Sequence, residues 1–89
     1  MRFSDHFDSE RAHWSDRERI TLAMCERVRA EYLHWDHGRF GRTVYWGRVQ
    51  EPDKVRYLRV VVEPDDYEIE SANFDRDYSR KARRGERPQ

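Results

Sequence analysis

The chain has 89 residues, 36% hydrophobic and 40% charged, with 18 Lys+Arg balanced by 18 Asp+Glu to a formal net charge of +0. This length allows one domain with a thin core. Neutrality excludes attraction of the whole molecule to nucleic acid or to an anionic membrane, so any such binding has to be local.

From the first residue, "FSDHFDSERAHWSDRERITLAMCERVRA" has helical spacing: Phe3 and Phe7 are four apart, and Ile20, Met24 and Val28 repeat at the same interval. The pattern predicts two short helices with a break between Trp14 and Thr21. Ser15 with Glu18 fits a capping box, and Thr21 before "LAMCERV" is also a plausible N-cap. Cys25, the only cysteine, sits in the apolar stripe, which excludes an internal disulfide and makes a core thiol the expected role. No leading apolar run reads as a signal peptide and no stretch is long enough to span a membrane, so a cytoplasmic location is expected.

After Ala30 the period becomes alternating, punctuated by turn chemistry in "HGRFGR" (37–42), "EPDK" (51–54) and "EPDD" (63–66). Four strands are predicted near Glu31–Asp36, Thr43–Gln50, Val55–Glu63 and Tyr67–Phe74. Their short connections imply antiparallel neighbours. The expected architecture is α+β, with two short N-terminal helices packed on a four-stranded antiparallel meander. Residues 1–80 form one domain, and 81–89 a flexible basic tail.

Pairing Gln50 with Val55 across the "EPDK" turn places Arg48 opposite Tyr57 and Trp46 opposite Arg59 on one face. Tyr45, Val49, Leu58 and Val60 then share the other, more apolar face. Across the next turn the same counting sets Val62 against Tyr67, Val60 against Ile69 and Arg59 against Glu70. In the first strand Leu33 and Trp35 are expected to point inward, leaving Tyr32 and His34 outside. The open face thus collects Tyr32, His34, Trp46, Arg48, Tyr57 and Arg59, a mixture suited to stacking bases and holding phosphates of single-stranded RNA. A plainer reading is an exposed salt-bridged sheet, with Glu70 and Glu68 neutralising Arg59 and the C-terminal segment covering Trp46.

The motifs "FSDHF", "GRTVYWGRV", "YLRVVV" and "NFDRDY" carry a resemblance, spanning roughly Phe3 to Arg80, to the RelE-like and BrnT-like toxins of bacterial toxin–antitoxin pairs. The resemblance implies a metal-independent endoribonuclease, or a decayed relative of one, with an antitoxin as partner. In such chemistry a ribose 2′-hydroxyl attacks the neighbouring phosphate, which needs a base, cationic stabilisation and an acid. By this likeness Arg59, Arg76 and Arg48 surround the phosphate and Tyr78 lies near the leaving group. His34 or His6 would serve as base, histidine being the side chain that changes charge near neutrality. The chain departs from these toxins in being neutral, with seven acidic against three basic residues between Glu51 and Glu70.

In "HWDH" His34 and Asp36 share a face, but no third ligand is evident, so no metal or other cofactor is expected. His6 stands among Asp5, Asp8 and Glu10, where a local hydrogen bond is the plainer role. Arg80, Lys81, Arg83 and Arg84 in the tail could follow a phosphate backbone, dock on an acidic partner, or simply be solvated. The competing function is a non-enzymatic interaction module that binds a protein partner, or a second copy of itself, through the same aromatic and arginine face.

Overall fold

The computed structural model of the protein describes residues 1–11, 13 and 19–78. The order of elements is β1 (Arg2–Phe3), α1 (Asp5–Arg11), α2 (Leu22–Ala30), β2 (His34–His37), a short 3-10 turn (Arg39–Gly41), β3 (Thr43–Gln50), β4 (Val55–Val62) and β5 (Glu68–Phe74). Residues 76 to 78 are helical. The fold is α+β, with one five-stranded sheet in the order β1-β5-β4-β3-β2. β1 runs parallel to β5, and the other pairs are antiparallel. The expected four-strand meander therefore lacked one strand, a two-residue edge too short to show any alternation.

Local chemistry sets the helix starts. The Ser4 hydroxyl accepts from the Phe7 amide at 3.1 Å and donates to the Glu70 carbonyl at 3.3 Å, which opens α1 and ties it to β5. Thr21 is the N-cap of α2: its hydroxyl accepts from the Met24 amide at 3.1 Å, and the Met24 sulfur accepts from the Thr21 amide at 3.4 Å. The alternative cap at Ser15 lies outside the described residues.

Both helices pack on one side of the sheet. Phe7, Ile20, Cys25 and Val28 meet Tyr45, Leu58, Val60, Val62, Ile69 and Ala72 in a single core. Burial pushes the Cys25 thiol up to about 12, so it stays protonated and packs as a small hydrophobe. Gly47 makes the closest approach of α2 to the sheet, since a Cβ built there would meet the Val28 methyls at 3.0 and 3.1 Å.

The β3–β4 register is the one the "EPDK" turn predicts, from Gln50↔Val55 through Trp46↔Arg59 to Thr43↔Val62. Glu51 at that turn is buried beneath Arg19, at 3.0 Å, and Arg56, at 3.4 Å. The β4–β5 register differs from the expectation. Val62 pairs with Ile69, then Val61 with Ser71, Val60 with Ala72 and Arg59 with Asn73. Glu70 is the extra residue of a β-bulge, which keeps both Ile69 and Ala72 on the core side. Arg59 thus faces Asn73 and not Glu70.

The first predicted strand is shorter than expected, and its burial is corrected. Leu33 and Trp35 remain 56% and 47% exposed, because β2 is an edge strand beyond the reach of the helices. Tyr32 was expected on the open face, but its ring lies 5.1 Å from that of Tyr45 on the helix-covered side.

Candidate functional site

Strand parity puts one continuous row across the face turned away from α1 and α2: His34, Trp46, Arg59 and Asn73, on β2, β3, β4 and β5 in turn. The His34 and Trp46 rings are 5.3 Å apart, and the Arg59 guanidinium carbon lies 5.9 Å from the Trp46 ring centroid. Cation–π contact of this kind holds a guanidinium in place without neutralising it. Among the described residues no carboxylate reaches Arg59 within ion-pair distance. Glu68 instead lies 3.7 Å from Arg2, and the Glu70 carboxylate accepts from the Ser71 hydroxyl at 2.8 Å.

Beside this row is a concavity of about 530 Å³ lined by Asp36, His37, Arg39, Arg42, Arg59 and Glu70. Val44 and Val61 also line it, and they are only 4% and 6% exposed. The turn that carries Arg39 and Arg42 places Phe40 and Gly41 at positive φ, 58° and 75°. Gly38 donates to the Arg42 carbonyl at 2.8 Å to close the turn. Arg42 is held by Glu63 at 2.5 Å, which leaves Arg59 as the half-buried cation of the cleft with no ion pair among the described residues.

The opposite end of the face is covered by residues 75 to 78. The Trp46 indole N–H donates to Asp75 Oδ2 at 2.9 Å, and Asp75 Oδ1 accepts from the Tyr78 amide at 2.9 Å. Tyr78 is 7% exposed, stacked on Trp46 at 6.1 Å and tilted against Tyr57 at 4.9 Å. Burial, followed by the neighbouring Tyr57 and Asp75, raises its hydroxyl above the ordinary tyrosine value. The hydroxyl is therefore a neutral donor near pH 7 and no base.

The remaining candidates spread out. Arg48 is exposed opposite Tyr57 and borders a second groove, of about 490 Å³, with Met24, Arg27 and Glu31 beside α2. Arg76 is exposed at the start of the helical residues 76 to 78. His6 is exposed on α1, 3.3 Å from Glu10, and α1 packs on the other side of the sheet from Arg59. Arg80, Lys81, Arg83 and Arg84 lie outside the described residues.

The cleft residues His37, Arg39, Arg42 and Asn73 escaped notice in the sequence. "HGRFGR" reads as turn chemistry, and Asn73 comes beside Arg59 through a longer β4–β5 turn, with Val62 opposite Ile69, together with the bulge at Glu70. Chemically, the row can hold an anion at Arg59, stack a planar group near Trp46 and offer imidazole nitrogens from His34 and His37. No family model matches the chain, and neither the curated proteins nor the solved structures give a significant match.

Proposed function

We propose that the face turned away from α1 and α2 binds single-stranded RNA and that the chain cleaves it in the manner of the toxins it resembles, with Arg59 holding the scissile phosphate. The observation that carries this reading is the Arg59 guanidinium over Trp46, facing a cleft and unpaired among the described residues. A desolvated but unneutralised guanidinium binds phosphate well because its planar donors match two phosphate oxygens. To His34, beyond Trp46 in the same row, we assign the role of taking the 2′-hydroxyl proton. The freed 2′-oxygen attacks phosphorus, the 5′-oxygen departs with a proton, and a cyclic phosphate remains.

The test is incubation of purified protein with a single-stranded RNA, with end-group analysis of the products. Cyclic phosphate ends from the wild type, lost in Arg59→Ala and only partly restored in Arg59→Lys, are expected. Absence of both cleavage and RNA binding by the wild type refutes the reading. A non-enzymatic interaction module is the second reading, favoured by the cover that Tyr78 places over Trp46 and Tyr57. A wild type that leaves the RNA unbound and intact would select it.

A further inference from the structure

The outer edge of β2 carries a self-complementary pattern. The Gly38 to Arg42 hydrogen bond is in step with the pairs Asp36↔Val44 and His34↔Trp46. Hydrogen-bonded pairs alternate along an antiparallel ladder, so His34 and Asp36 turn their backbone groups toward β3 while Trp35 and His37 turn theirs outward. The His37 amide is taken by its neighbour Asp36 Oδ1 at 2.7 Å, and the Leu33 amide turns inward to the Trp46 carbonyl at 2.8 Å. Trp35 is left at the centre of an open edge, its side chain 47% exposed, flanked by exposed Leu33 and Tyr32. An uncovered edge strand bearing large apolar groups is a template for another strand.

We propose that this edge pairs with the β2 of a second copy, antiparallel about a two-fold axis at Trp35, joining two sheets into one. Electrostatics selects the register. Centring on Trp35 places His34 opposite the partner's Asp36 and Asp36 opposite the partner's His34, two matched pairs on the uncovered face. Moving the centre to Asp36 sets Asp36 against the partner's Asp36, a like-charge pair that is destabilising directly across strands, and moving it to His34 loses both matched pairs. In the favoured register Trp35 exchanges both backbone hydrogen bonds with the partner's Trp35, and the two indoles lie side by side on the other face. A closed two-fold pairing also consumes both edges, so assembly stops at the dimer along this strand. The two Arg59 clefts would stand five strand spacings apart, roughly 24 Å, on one continuous surface.

The experiment is sedimentation equilibrium of the full chain with amide hydrogen exchange read at Trp35. The wild type should show twice the 11.0 kDa chain mass, with the Trp35 amide protected. Trp35→Glu and Asp36→Lys should each weaken the dimer at least tenfold and expose that amide, with unchanged circular dichroism. The double exchange His34→Asp with Asp36→His, which rebuilds both pairs with the charges swapped, should recover the dimer relative to Asp36→Lys. A monomeric wild type overturns the proposal, as does a dimer indifferent to Trp35→Glu.

Discussion

Replacing Gly47 with alanine tests the contact that seats α2 on the sheet. The added Cβ would stand 3.0 and 3.1 Å from the two Val28 methyls and 3.3 Å from its Cα. Val28 is 2% exposed, and a valine in a helix has essentially one side-chain rotamer, so neither methyl can swing away. The helix itself has to move. Overpacking of this kind costs about 1–3 kcal/mol, whereas alanine in place of glycine in an extended strand gains roughly 0.5–1 kcal/mol. The balance is a loss of roughly 0–2.5 kcal/mol, about 1 at the middle of both ranges, and each kcal/mol lowers Tm by some 4–8 °C in a domain this small. Urea unfolding should show a lower midpoint with an unchanged slope. Val28→Ala, although costly alone, should lose less than additively when combined with Gly47→Ala, because it removes the methyls that collide. A Gly47→Ala protein as stable as the wild type would refute the close approach.

Trp46→Phe should remove the hydrogen bond to Asp75 Oδ2, lowering stability by about 1.5–3 kcal/mol, the range for a bond to a charged acceptor. Because Asp75 also caps residues 76 to 78, the Tyr78 amide should exchange faster than in the wild type. A variant with wild-type stability and protection would show that this end of the face is held otherwise. Arg29 donates to both oxygens of Asp66, at 2.7 and 2.6 Å, and holds that carboxyl below its ordinary value of 3.8. A lowered folded pKa stabilises above the unfolded pKa and is lost as pH falls through the folded one. The stability difference between wild type and Asp66→Asn should thus be constant at neutral pH and shrink below about pH 4, with a plateau of at most about 1 kcal/mol for so exposed a pair. A difference that grows on acidification would contradict the sign.

Much of the central hairpin was legible in the amino-acid order. Alternation in "TVYWGRVQ" and "VRYLRVVV", joined by a short turn with one sensible register, determines that Trp46 and Arg59 emerge together opposite Tyr45, Leu58 and Val60. The period of "LAMCERV" likewise determines which side of α2 is buried, and Thr21 marks where the helix begins. These features are local: each depends on residues within one turn or one pleat. The β4–β5 register is different in kind, because a bulge at Glu70 satisfies packing of both Ile69 and Ala72 against helices that the strand itself does not encode. Leu33 and Trp35 have the alternation of core residues and are nevertheless exposed, since burial depends on whether a helix reaches over the edge strand. Whether Arg59 is ion-paired was decided in the same way. Its sequence neighbourhood is rich in carboxylates, and only the three-dimensional arrangement sends those groups to Arg2, Arg29, Arg42 and Ser71, leaving the guanidinium over Trp46 free of any ion pair among the described residues.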